Sequence, residues 1–206
     1  MTARRRRLTA GIAMSLLGLV ASACGIRPTE VPTDFGPAPS REPCEVSEPA
    51  TSKQSTGGVP VRVFLVCTAE LVPVDRRVEL PAEQTSEKDR GRVARALLDE
   101  LGQQVSRAER QAGYSTAVPD GVTVSGPRGG DPDDALRLSA PAEDLSPFAL
   151  AQLVCTLANS AAASRDGRVI LGGPGVDPLR AYECTPEVRA RPGVHEPPST
   201  VLTRLP

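Results

Sequence analysis

The chain has 206 residues, with 24 Lys or Arg against 25 Asp or Glu and a single His, for a formal net charge of −1. That balance excludes the broad basic footprint through which proteins hold nucleic acid. Aromatic residues are scarce, with no Trp, two Tyr and three Phe, which argues against a glycan-binding face built by ring stacking and leaves Val, Leu and Ala to build the core.

Residues 1–23 have the layout of an export signal. Arg4 to Arg7 precede a charge-free apolar run from Ala10 to Val20, and the small residues Ala21, Ser22 and Ala23 follow. The run is about half of the roughly 20 residues that a membrane-spanning helix needs. Two processing routes fit. Ala21 and Ala23 satisfy the small-x-small rule of a general signal peptidase, and Ala21-Ser22-Ala23-Cys24 also resembles a bacterial lipobox. Cysteine parity favours the second route. The cysteines are Cys24, Cys44, Cys67, Cys155 and Cys184, and an odd thiol in an oxidising compartment needs an explanation. Lipidation of Cys24 uses the odd one and leaves four for two disulfides. The expectation is a mature N-terminus at Cys24 that carries a diacylglycerol and an N-acyl chain, with no other cofactor. Two or more chains hold a protein stably on a bilayer, so the expected place is the outer face of the cytoplasmic membrane. Loss of residues 1–23 removes four arginines and no acidic residue, leaving 20 basic against 25 acidic groups and a net charge of −5. The anchor, not surface charge, then supplies membrane attachment.

Residues 24–57 are polar and proline-rich and read as a tether. The folded part is expected over 58–184. "VPVRVFLVC", residues 59–67, is a β-branched strand with apolar residues on both faces, hence well inside a sheet. Residues 71–80 form a second strand, placed at an edge or bulged because Pro73 cannot donate to a ladder. A helix over 87–105 buries Ala94, Leu97, Leu98, Leu101 and Val105 and turns Arg92, Arg95 and Asp99 outward. Short strands follow at 122–125 and 135–139, separated by the turn-rich acidic loop "GPRGGDPDD".

Ser146 opens a second helix as its N-cap, with Pro147 at the first helical position and Leu145 placed to staple onto Leu150. Leu150, Leu153, Val154, Leu157 and Ala161 form one stripe, while Phe148 and Cys155 fall on roughly the opposite side. A helix covered on two sides disposes Cys155 to pin a peripheral segment and disfavours a Cys67–Cys155 bond, although all three pairings of the four cysteines stay open. Strands at 168–173 and 179–184 complete the pattern, and residues 185–206 lack either period and read as a disordered tail. The fold class is α+β: a mixed sheet with two helices packed on it, stapled by disulfides and flanked by a disordered tether and tail.

The order of short motifs resembles the GerMN domain family, which occurs in germination proteins of spore-formers and in lipoproteins of actinobacteria. "VRVFLV" with "LVPVDRRV" is similar to the family's opening strand and its Leu-x-Pro-Val-x-Arg strand. "VARALLDEL", "GYSTAVPDGVTV", "LRLSAPAEDL", "ALAQLVCTL" and "RVILGG" follow in family order, so that the likeness spans Val59 to Gly173. Two features depart from it: Gly102-Gln103 stands where Gly-Pro is frequent, and Cys67, Cys155 and Cys184 lie outside the general pattern. The resemblance implies a non-catalytic envelope domain with a binding or scaffolding role around the wall, sporulation or sensor proteins.

The inventory for chemistry is thin. His195, the one histidine, lies in the expected tail, so a His-based triad or a His-rich metal site is not expected. Cys44, Cys67, Cys155 and Cys184 lack a Cys-x-x-Cys spacing and suit structural disulfides. Asp131, Asp133 and Asp134 miss the alternating register of a calcium loop. "GGPG", residues 172–175, is followed by neither a helix nor Lys-Ser/Thr and reads as a turn. Glu143 and Asp144 suit the second helix's N-terminal end. Gln152 and Thr156, polar residues in an apolar helix, either satisfy buried groups or border a recognition surface, and Arg76 and Arg77 carry the same ambiguity. These four are the candidate recognition residues. The expected partners are the membrane through the lipid and an envelope protein, with wall polymer as a further ligand and no nucleic acid. The alternative is an envelope enzyme or small-molecule carrier acting on wall material.

Overall fold

The computed structural model describes Cys44, residues 58–79 and residues 87–202. The export signal of residues 1–23, Cys24 and all of the tether but Cys44 lie outside the described residues, as do residues 203–206. Strands β1 (Val59–Cys67) and β2 (Glu70–Val78) lead into helices α1 (Glu87–Gly102) and α2 (Arg107–Gln111). Strands β3 (Tyr114–Ser115), β4 (Val124–Ser125) and β5 (Ala135–Leu138) come next, then a 3-10 turn (Ala142–Asp144) and helix α3 (Pro147–Ala158). Strands β6 (Val169–Gly172) and β7 (Leu179–Tyr182), helix α4 (Pro186–Ala190) and strand β8 (Ser199–Leu202) close the chain's order. The class is α+β, as the pattern of elements requires, with the strands in two sheets ordered β2-β1-β3 and β4-β5-β6-β7-β8. The second sheet is mixed: β5 and β6 are parallel and its other pairs antiparallel.

β1 is the middle strand of its sheet and β2 an edge, the places that apolar residues on two faces and Pro73 imply. Val63, Leu65 and Cys67 point into the main core, and Phe64 enters a second cluster on the other side. The β1–β2 hairpin pairs Cys67 with Glu70 and turns on Thr68 and Ala69, both at positive φ (50° and 67°). Positive φ at both central residues matches the right-handed twist of the strands, a conformation that Asn-Gly adopts more easily. The missing Asn-Gly signal is why the turn is hard to see in the sequence.

Parallel strands need a crossover, and α3 is the crossover between β5 and β6. Ser146 accepts a hydrogen bond from the Ala149 N–H at 3.2 Å, and Pro147 occupies the first turn, so the helix starts as its cap dictates. Ala149, Leu153, Val154 and Leu157 bury one side in the main core. Ala151 and Cys155 bury the other with Phe64, Leu71 and Val188. α1 adds Val93, Ala94, Leu97, Leu98 and Leu101, and it ends at Gly102 where the sequence suggested 105; Val105 stays buried beyond the helix end.

The tail expected to be disordered from residue 185 is instead built into the fold as far as Leu202. Thr185 caps α4 by accepting from the Val188 N–H at 3.3 Å, and Pro186 stands in its first turn. Val188, 1% exposed, fills the second cluster against Cys155 and Phe64. A Cβ at Gly193 would stand 2.6 Å from the Phe148 ring, so the chain presses on the side of α3 away from the main core. β8 then pairs with β7 from Tyr182↔Ser199 to Leu179↔Leu202. Buried residues as scattered as Val188, Pro192 and Pro197, followed by a largely exposed strand, leave no apolar period to read, which is why the sequence hides these elements.

Candidate functional site

The four cysteines expected to pair do so. Cys44 bonds Cys67, and Cys155 bonds Cys184. The first bond fastens the segment before β1 to the end of that strand, where the Cys44 N–H donates to Ala112 O at 3.0 Å and the Tyr114 hydroxyl donates to the Cys44 carbonyl. The second fastens the start of α4 to the outer side of α3, which is the peripheral segment expected for Cys155.

Three of the four candidate recognition residues prove to be interior. Thr156 and Gln152 are both 0% exposed. Strand β3 reaches only Val66 and Cys67 of β1, and the N–H of Phe64, two residues back, is taken by Thr156 Oγ1 at 3.0 Å. One helical turn earlier, Gln152 Oε1 accepts from the Ala117 N–H at 2.9 Å, and its Nε2 lies 3.3 Å from Thr116 Oγ1. Two side chains at i and i+4 thus supply what a longer β3 would have supplied. Arg76 is 7% exposed and pairs with Glu109 at 2.7 Å and Glu100 at 3.3 Å. Glu109 is also the N3 residue of the α2 capping box, receiving the Ser106 N–H at 2.6 Å. Burial of a paired charge stabilises only while both partners are present, so these groups are fold determinants. Arg77 alone of the four is exposed, and its guanidinium donates to Gly58 O at 3.1 Å.

A second interior network was not legible in the sequence. Arg137 on β5 is 2% exposed and forks onto Asp131, with Nη2–Oδ1 at 2.7 Å and Nε–Oδ2 at 2.9 Å. The hydrogen bond to Asp131 raises its pKa above the usual guanidinium value, against an opposing effect of burial. Its Nη1 also donates to Gly173 O and Gly175 O, and Arg128 donates to Pro174 O at 2.6 Å. Gly172 makes the room, since a Cβ there would stand 2.6 Å from Arg137 Nη1. The "GGPG" turn is thereby fixed by two arginines, and Asp131 serves as an anchor for them. Among the described residues no group of three His, Cys, Asp or Glu could hold a metal ion. His195 lies half-buried in the turn after α4, where its N–H donates to Arg191 O.

The fixed turn forms one wall of a cleft of about 160 Å³. Its floor is Leu171, Arg180, Tyr182 and Val201 on strands β6, β7 and β8; the 3-10 turn (Pro141, Ala142, Glu143) forms the second wall, and Asp177 and Pro178 stand at the loop end. Here the polar groups are not consumed. Glu143 and Asp177 are exposed and form no ion pair among the described residues. Among the described residues Arg180 makes one bond, from Nη1 to Ser199 Oγ at 3.2 Å. Tyr182 is 5% exposed, and its hydroxyl has no hydrogen-bond partner among the described residues. Burial raises its pKa above 10.0, with Arg180 opposing and Glu143 and Glu196 adding to the shift. A larger groove of about 320 Å³ lies between the start of β1 and the end of α3, but its polar side chains already have partners: Arg62 pairs with Asp75 at 3.2 Å, and the Asn159 amide donates to Cys155 O at 2.9 Å. Glu143 is thus a cleft wall residue, where its place before α3 suggested only a favourable helix end.

No family model matches the chain, and no curated protein or solved structure shows significant similarity to it.

Proposed function

We propose that the protein is a lipid-anchored module of the cell envelope, GerMN-like in its order of motifs, with a non-catalytic binding or scaffolding role toward another envelope protein. The observation that carries this reading is the division of the cysteines. Cys44–Cys67 and Cys155–Cys184 account for four of the five, and paired thiols belong to an oxidising compartment. Cys24 stands outside both bonds, at the lipobox-like Ala21-Ser22-Ala23-Cys24 and behind a basic and apolar leader. A diacylglyceryl and an N-acyl chain on Cys24 hold the module on the outer face of the cytoplasmic membrane. The interior use of Arg76, Gln152 and Thr156 supports a role for these motif residues in the fold.

The test is the intact mass of full-length protein extracted from bacterial membranes, with thiol counting. The reading expects a chain starting at Cys24 with lipid attached and no free thiol in the folded part. An unmodified Cys24, or free thiols at the other four, overturns it. For the role, in-cell crosslinking of the lipidated protein is expected to capture one recurrent envelope protein. Hydrolysis of wall material that a single carboxylate substitution abolishes contradicts a non-catalytic role.

A further inference from the structure

We infer that the cleft between the 3-10 turn and strands β6 to β8 binds a small zwitterion, a ligand that carries an ammonium beside a carboxylate. Charges of both signs border the same small volume. Among the described residues Glu143 and Asp177 have no ion-pair partner, and Arg180 is bound only to the hydroxyl of Ser199. The decisive group is Tyr182. Its residue is 5% exposed and lines the cleft, and its hydroxyl is accessible to solvent with no partner among the described residues, so the phenol is free to donate to a ligand there. The phenol and the guanidinium are donors suited to a carboxylate, and the two acidic side chains are acceptors suited to an ammonium.

Position and rigidity agree with this chemistry. The cleft lies beyond the carboxyl ends of the parallel pair β5–β6, where open sheets place their ligands. Its far wall is held by Arg137 and Arg128 on the carbonyls of residues 173–175. Its near wall is held by the Asp144 N–H on Pro141 O at 3.1 Å and the Leu145 N–H on Ala142 O at 3.2 Å. A fixed site loses little on ordering. The volume of about 160 Å³, against roughly 30 Å³ per water, admits a group about the size of one amino-acid residue. Two sources share the chemistry: a free amino acid, and a side chain of a longer peptide that ends in an ammonium and a carboxylate. The inference stands independently of the anchor at Cys24 and of the protein partner.

Calorimetric titration of the full mature chain tests it. The probes are free alanine and serine, the same amino acids blocked at both ends, and a terminally blocked peptide containing one diamino-dicarboxylic residue. The expected result is saturable binding of the free amino acids, the peptide or both, weakened at least tenfold when the charges are blocked. Which of the two binds identifies the source. Arg180→Gln is expected to weaken binding about tenfold or more, and Tyr182→Phe about threefold, as loss of a charged and a neutral hydrogen bond implies. Arg95→Gln on the exposed face of α1 serves as the unchanged control. Arg180 is exposed, so its variant keeps the fold, and an unaltered melting curve checks this. Absence of saturable binding by every zwitterion at tens of millimolar, equal binding of the blocked forms, or unchanged affinity in both cleft variants overturns the inference.

Discussion

The interior networks and the cleft are built from the same kinds of side chain and put them to opposite use. Around Arg76 and Arg137 the charges are consumed by the chain: Glu109 and Glu100 hold one guanidinium, Asp131 and two loop carbonyls the other. Around Tyr182 they are left over, with Glu143 and Asp177 unpaired among the described residues. Burial makes an unpaired charge costly, so the interior groups pair within the chain and serve the fold, whereas the exposed cleft groups are free to take a ligand. The two are also joined, because the Arg137 network fixes the loop that walls the cleft.

The sharpest way to break this contrast is to empty one side of an interior pair. Asp131→Asn leaves Arg137 buried without its counter-charge and is expected to cost about 3–5 kcal/mol, read as a lowered urea midpoint at unchanged slope. Because Arg137 also holds the cleft wall, zwitterion binding should fall with it. Opening the Cys155–Cys184 bond as Cys155→Ser with Cys184→Ser is expected to cost about 2–4 kcal/mol and to raise proteolysis of residues 185–202 first. Thr156→Val, which orphans the Phe64 N–H, should cost about 1–3 kcal/mol and leave ligand affinity unchanged. Arg180→Gln should move stability by no more than about 0.5 kcal/mol while abolishing most of the affinity.

The smallest effect lies at alkaline pH. The Tyr182 pKa is raised above 10.0 by burial, so folding favours its neutral form. The resulting stability is fully present below pH 10 and is lost as pH rises through the folded-state value. Absorbance titration of the phenolates should show a late-ionising tyrosine that Tyr182→Phe removes. Ionisation of Tyr182 at or below the ordinary value would contradict its burial.

Much of the fold was legible because local chemistry and packing agree. Pro73 placed β2 at an edge, Ser146-Pro147 set the start of α3, and the two apolar sides of α3 indicated a peripheral partner for Cys155. What the sequence hid depended on contacts far apart in the chain. α4 rests on Val188 alone, and β8 is visible only through its pairing with β7. Gln152 and Thr156 pointed to buried groups or to a surface, and the short reach of β3 shows why it is the former. The cleft draws Glu143, Asp177, Arg180 and Tyr182 from three separate segments, and no spacing in the sequence joins them. Arg137, one residue of an apolar strand, gives no sign of its partner at Asp131 until the loop is folded.

The central claim is that interior polar groups hold the fold while cleft polar groups hold a ligand. The most direct test measures both properties on two variants at once, with urea unfolding and zwitterion titration applied to Thr156→Val and Arg180→Gln. The account predicts a crossed result, in which Thr156→Val loses stability and keeps affinity, and Arg180→Gln loses affinity and keeps stability. If Arg180→Gln destabilises the protein as much as Thr156→Val does, or leaves binding intact, the division between the two regions is wrong.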